Sequence, residues 1–131
     1  VLVGDTMGEL QKLYVASDLA IIGGSLVPIG GHNLLEACAV GVPVIFGPHM
    51  FHLSELSAMV IERNAGYQVD GTRDLIEVVS TYIESPSVLK EAGDSARRLV
   101  SENSGSLART LKLIDSTLQA KSENDSNNRF N

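Results

Sequence analysis

The chain has 131 residues and a formal net charge of −6, from 10 basic and 16 acidic side chains. That length fits one domain, and 44% hydrophobic with 20% charged residues is the composition of a folded chain. The acidic balance argues against a nucleic-acid backbone or an anionic membrane surface as a direct partner, and 5% aromatics without Trp argues against base-stacking platforms.

In chain order, the first half reads as short apolar strands joined by glycine-rich loops. The pattern predicts a strand (1–3), a helix (8–17), a strand (19–22), a loop (23–31), a helix (32–40), a strand (43–46), a loop (47–52), a helix (53–64) and a strand (67–69). Leu19-Ala20-Ile21-Ile22 and Val42-Pro43-Val44-Ile45-Phe46 are near-continuous apolar runs. Such runs suit parallel strands covered by helices on both faces, and the alternation of strand and helix argues for βαβ units. Thr6-Met7-Gly8-Glu9 has the spacing of a capping box at the first helix. The second half predicts helices over 73–84, 87–103 and 105–119, with Thr72 as a cap and Ser85-Pro86 as a cap followed by Pro in the first turn. Leu107, Leu111, Ile114 and Leu118 form one apolar stripe at helical spacing. The expected division is a Rossmann-like domain over 1–119 and a disordered polar tail over 120–131.

The halves also differ in charge. Residues 1–71 carry Lys12 and Arg63 against seven acids and hold ten of the twelve glycines. Cys38 is the single cysteine, which excludes an internal disulfide framework and a Cys-rich zinc module and fits a reducing compartment. No apolar run reaches the ~18 residues that span a bilayer, and no signal peptide is visible. The chain opens on Val1-Leu2-Val3 and not on Met, so it is expected to be a piece of a longer protein.

The segment that carries chemistry is Gly23-Gly24-Ser25-Leu26-Val27-Pro28-Ile29-Gly30-Gly31-His32-Asn33-Leu34-Leu35-Glu36. It follows an expected buried strand and opens a helix. Ligands of open α/β sheets bind outside the carboxyl ends of the strands, and a helix start there offers free N–H groups to a phosphate. With two cations in 71 residues, a bound phosphate would rest mainly on backbone donors. The loop is neither a P-loop nor a Gly-x-Gly-x-x-Gly fingerprint, and a glycine-rich connection without a ligand is the alternative. Glu36, one turn after His32, could accept hydrogen bonds from ribose hydroxyls or lie on a solvated face. Asp5-Thr6-Met7 would line the same edge or simply start a helix. His49 and His52, with Glu55 and His32, have permissive metal spacing but no convergent set of ligands in the sequence. Cys38 has apolar neighbours and reads as a packed residue. No acid/base carboxylate pair and no Ser/His/Asp order stands out.

The segment Gly23 to Glu36 resembles the signature of the 3-deoxy-D-manno-octulosonic acid (Kdo) transferases. Asp5-Thr6-Met7-Gly8-Glu9-Leu10, Ala16-Ser17-Asp18-Leu19-Ala20 and Gly41-Val42-Pro43-Val44-Ile45-Phe46-Gly47-Pro48-His49 are similar to flanking family motifs, so the resemblance covers about residues 1–115. The chain departs from the family at Ala37, where Pro is usual, and at His52, where Asn is usual.

The resemblance implies an α/β fold, a Rossmann-like parallel sheet flanked by helices, as the C-terminal donor-binding domain of a GT-B glycosyltransferase. It implies inverting transfer of Kdo from CMP-Kdo to a lipid A precursor, without a metal, at the cytoplasmic face of the bacterial inner membrane. It places Gly30, Gly31 and the helix start, with His32, at the donor phosphate. Glu36 goes to the ribose, Asp5, Thr6 and Met7 to the cytosine, and Asn33 and Glu55 to the border of the donor pocket. The general base, the lipid acceptor site and any membrane contact would lie on an N-terminal domain outside this sequence, so the chain alone is expected to be catalytically silent. Two other readings stay open: a non-catalytic nucleotide- or phosphate-binding module, and the donor domain of another GT-B enzyme.

Overall fold

A computed structural model of the chain describes residues 3–4, 8–30, 33–51 and 53–128. Its most deeply buried run is Val44-Ile45-Phe46, each residue at 0% exposure. This strand, β2 (Val44–Phe46), is the centre of a three-stranded parallel sheet with β1 (Ala20–Ile22) and β3 (Gly66–Gln68) on its two sides. The register pairs Ala20 with Val44 and Val44 with Gly66. Parallel neighbours need crossover connections, and helices supply them here: α2 (Leu35–Ala39) between β1 and β2, α3 (Ser54–Glu62) between β2 and β3. The other helices are α1 (Leu10–Val15), α4 (Thr72–Glu84) and α5 (Pro86–Asn128).

Side chains alternate across the sheet, so the two faces bury different sets. Val44 and Phe46 join Ala20, Ile22, Tyr14, Leu34, Cys38, Leu56, Val60, Ala96 and Leu99 in the larger cluster. Ile45 joins Val69, Tyr82 and Ala92 in the smaller one. The expectation that the apolar runs are covered on both faces holds for β2 and fails for β1. Ile21, in register with Ile45, is 48% exposed. Tyr82 of α4 packs edge-on against Tyr67 of β3, with ring centroids 5.9 Å apart, and the helix cover does not extend over β1.

Several boundaries move, each for a local reason. The first helix starts at Leu10, because Gly8 holds φ at 87°, outside helical space. Glu9 is therefore the N-cap residue and not the third helical residue that a capping box needs. Val3 is exposed and belongs to no strand, and the rest of the expected strand 1–3 lies outside the described residues. Thr72 is the first residue of α4, with Gly71 as the N-cap residue. Pro86 does begin α5, as expected.

The largest correction is in the second half. The helices expected over 87–103 and 105–119 are one helix, and it continues through 120–128, where a disordered tail was expected. After Pro86 the chain has no proline, and a helical glycine such as Gly105 costs only about 1 kcal/mol relative to Ala, so nothing forces a break. The amide of Asn103 donates to the Leu99 carbonyl (3.0 Å) just before the expected gap, and Arg109 Nε donates to the Gly105 carbonyl (3.2 Å) just after it. The stripe of Leu107, Leu111, Ile114 and Leu118 lies along this helix, and its side chains fall outside the described residues.

The first turns of α5 lock the fold. Ala92, Ala96 and Leu99 are buried, and Arg97 donates to the Val40 carbonyl at the end of α2 (3.1 Å). Arg63, just past α3, meets Glu102 at 3.0 Å, an exposed pair worth about 0–1 kcal/mol. Apolar burial by α5 therefore outweighs its ion pair. Leu99→Ala is expected to destabilise the chain by about 2–5 kcal/mol, read as a lowered thermal midpoint, whereas Arg63→Ala is expected to shift it little.

Candidate functional site

All three strands run the same way, so their carboxyl ends lie along one edge. The loops that leave β1 and β2 meet there. Gly23-Gly24-Ser25 forms a single 3₁₀ turn directly after β1, closed by the Leu26 amide on the Gly23 carbonyl (3.1 Å). The chain then turns again, Ile29 N–H on the Val27 carbonyl at 2.7 Å, and reaches Gly30 at φ 102°. Only glycine takes that conformation without strain. Phe51, from the loop after β2, lies against Gly30, 3.7 Å from where a Cβ would stand. His49 and Phe51 pair their rings at a centroid distance of 5.7 Å. His49 and Phe51 thus form an aromatic wall beside the glycine loop.

The two loops are joined through Ser25, which is fully buried. Its hydroxyl donates to the Ile22 carbonyl (2.5 Å) and accepts from the Gly47 amide (2.7 Å). Its carbonyl accepts from the His49 amide (3.0 Å). The approach is so close that a Cβ on Gly47 would overlap the Ser25 carbonyl, so a side chain is excluded at that position.

Helices α2 and α3 start at this edge. Asn33 is half-buried and its Oδ1 accepts from the Leu35 amide (3.0 Å), so its oxygen closes the start of α2 and its NH2 remains as a donor group. The helix expected over 32–40 is only Leu35–Ala39. Five residues give a weak dipole, so the loop backbone, more than the helix, is what this edge offers an anion. Glu36 is exposed in the first turn of α2 and Glu55 is exposed in the first turn of α3. Tyr14 of α1 adjoins Glu36: burial, then the Glu36 carboxylate, then Cys38 push the phenol upward.

Of the expected site residues, Gly30, Asn33, Glu36 and Glu55 are on this edge. Asp5, Thr6, Met7, Gly31 and His32 lie outside the described residues, as does His52. Among the described residues no group of three or more His, Cys, Asp or Glu is placed to hold a metal ion. The two cations of the first half are engaged elsewhere. Lys12 is 4.0 Å from Glu9 on α1, and Arg63 meets Glu102 beyond the far end of α3. From sequence, His49 is weighed for a metal and Ser25 is held within the glycine-rich segment, but neither of them, nor Gly47 or Phe51, is given a part in joining the two loops. Ser25 and Gly47 are 22 positions apart, and only the parallel pairing of β1 with β2 brings them together.

Among the described residues, cavities also lie away from this edge. One of about 310 Å³ runs along β3 and α4, past Tyr67 and Glu77. Another, of about 380 Å³, lies at the opposite edge, by Asp18 and Pro43. A third, of about 440 Å³, lies between Asn64 and α5. Strand polarity places the candidate site at the carboxyl edge.

An open parallel sheet flanked by helices, with two interlocked loops at its carboxyl edge, defines a Rossmann-like α/β domain. Comparison with known proteins narrows this further. The chain is 36% identical over 118 residues to the 3-deoxy-D-manno-octulosonic acid transferase of Bordetella pertussis, and 39% identical over 120 residues to that of Haemophilus influenzae. These matches take in 90% and 91% of the chain but 28% of each relative. A bifunctional glycosyltransferase/methyltransferase of Fusobacterium nucleatum is 40% identical over 59% of the chain and 12% of its own length. Among solved structures, the C-terminal CMP-Kdo binding domain of WaaA from Acinetobacter baumannii superposes with a TM-score of 0.68 at 28% identity. That match covers 74% of the chain and 51% of that domain's chain. No protein-family model matches. The chain is a relative of the Kdo transferases over nine-tenths of its length, and it spans just over a quarter of theirs.

Cys38 lies two residues after Glu36 in α2, on the buried side of the helix, and it is no nucleophile. It is fully buried, and burial pushes its thiol from the ordinary 9.0 up to about 12. Thiol reagents at pH 8 are expected to leave Cys38 unmodified in the folded chain and to modify it in denaturant. A pKa raised on folding stabilises fully below about pH 9 and is lost as pH rises toward 12. Cys38→Ala is therefore expected to flatten the alkaline fall in thermal midpoint.

Proposed function

We propose that the chain is the donor-binding part of a Kdo transferase, taking CMP-Kdo at the loops after β1 and β2. The observation that carries this is the match of three quarters of the chain to a solved CMP-Kdo binding domain. In this reading Gly30, Gly31, His32 and the start of α2 receive the donor phosphate on backbone N–H groups. Glu36 holds the ribose hydroxyls, Asp5, Thr6 and Met7 border the cytosine, and Asn33 and Glu55 border the donor pocket. No metal takes part. The whole protein would transfer Kdo to a lipid A precursor in lipopolysaccharide biosynthesis, at the cytoplasmic face of the inner membrane. The general base, the acceptor site and the membrane contact are assigned outside this sequence. No helix among the described residues is long and apolar enough to cross a membrane.

The similarity to a bifunctional glycosyltransferase/methyltransferase favours one alternative, a donor domain for a different nucleotide sugar. Base preference separates the two. Titration of the isotope-labelled chain with CMP is expected to shift the amides of Gly23–Glu36 and Asp5–Met7, more than UMP does and unchanged by a chelator. Equal shifts with CMP, UMP and inorganic phosphate would overturn the cytidine reading. Glu36→Ala is expected to weaken CMP about tenfold and to leave the response to phosphate unaltered.

A further inference from the structure

The loops after β1 and β2 come from separate βαβ units, and one buried side chain joins them. Ser25 Oγ is both donor and acceptor: it gives its proton to the Ile22 carbonyl and takes that of the Gly47 amide. A serine hydroxyl has one proton and two lone pairs, so these two bonds use the donor and one acceptor site. The Ser25 carbonyl adds a third bond, from the His49 amide. Two residues later the chain places Phe51 against Gly30. Ser25 thus ties one end of the glycine loop to the strand that feeds it and to the loop that carries His49 and Phe51, which in turn covers the other end of the glycine loop. The circuit closes: Ser25 to Gly47, His49 to Phe51, Phe51 to Gly30, and back along the loop to Ser25.

We infer that Ser25 is a positioning residue for the donor site, locking the two loops into a single preorganised floor against which the donor's phosphate and sugar bind. This rests on the donor-site reading above. It touches no ligand itself, since it is fully buried. Its effect on binding runs through Gly30, His49 and Phe51. Alanine removes the hydroxyl and leaves the Gly47 amide buried without a partner. The cheapest relief is for the loop after β2 to draw away from the loop after β1. A floor that must be reassembled on binding lowers affinity by the fraction of chains that hold it.

The test uses the 131-residue chain with CMP as the probe. Ser25→Ala is compared with Ser25→Thr, which keeps a hydroxyl, and with Leu99→Ala, which lowers stability from α5. Ser25→Ala is expected to weaken CMP about tenfold, to release the His49 amide to exchange in the ligand-free chain, and to lose the Phe51–Gly30 proximity in nuclear Overhauser spectra. Ser25→Thr is expected to recover most of the affinity. Leu99→Ala is expected to lower the thermal midpoint while binding CMP within about twofold of the unaltered chain. Affinity losses that follow the thermal midpoint alike in Ser25→Ala and Leu99→Ala would overturn the positioning role. So would CMP binding by Ser25→Ala at full strength. If Ser25→Ala does not fold, Ser25→Cys makes the same comparison with a weaker donor and acceptor of similar size.

If the unaltered chain itself ignores CMP, the donor reading fails separately. The ligand-free measurements then decide the lock by themselves: unchanged His49 protection in the variant overturns it, and selective loss sustains it.

Discussion

The structure depends on the burial of one short strand. Val44, Ile45 and Phe46 are closed off from water on both faces, and each such side chain contributes about 1.5–3 kcal/mol relative to an exposed one. Covering both faces requires helices above and below, and joining parallel neighbours requires the chain to cross over through those helices. The same demand then sets the polarity of every loop. Connections that leave the strands gather at one edge, and connections that return gather at the other. The candidate site is a consequence of this: the glycine-rich loop and the His49–Phe51 loop meet because β1 and β2 are parallel and in register.

The electrostatics of that edge are unusual for the phosphate site proposed there. Lys12 and Arg63 are the only cations before residue 72, and both lie beside carboxylates away from the loops. Helix α2 is too short to add much dipole. What remains is backbone N–H groups on a glycine-rich loop, and such groups act well only if their directions are held. A charged side chain can swing toward a ligand, whereas a peptide N–H must already point at it. A site built on backbone donors therefore needs internal bracing. The fully buried Ser25, with bonds at 2.5 and 2.7 Å to two different chain segments, provides it.

The helices around this edge divide the work. α2 and α3 bring Glu36 and Glu55 to the loops by their first turns. α5 packs Ala96 and Leu99 beneath the larger cluster and braces the end of α2 through Arg97. The stability carried by α5 and the geometry carried by Ser25 are thus separate features of one scaffold, on different elements.

Much of this was legible in the residues themselves. The near-continuous apolar runs marked β1 and β2, and the alternation with amphipathic segments marked a parallel α/β sheet, because burial on both faces leaves no room for polar alternation. Pro86 marked the start of α5 through its fixed φ and missing N–H. The Gly23–Glu36 segment marked the candidate site and its family resemblance, since a motif is a local property of the chain. Tertiary structure decided what no local pattern contains. Ile21 is half exposed because helix cover stops short of β1. The hydrogen bond between Ser25 and Gly47 spans 22 residues, and it exists only once two strands have paired. Local sequence carries propensity and pattern. The meeting of two distant loops is set by packing of the whole chain, and only the folded chain reveals it.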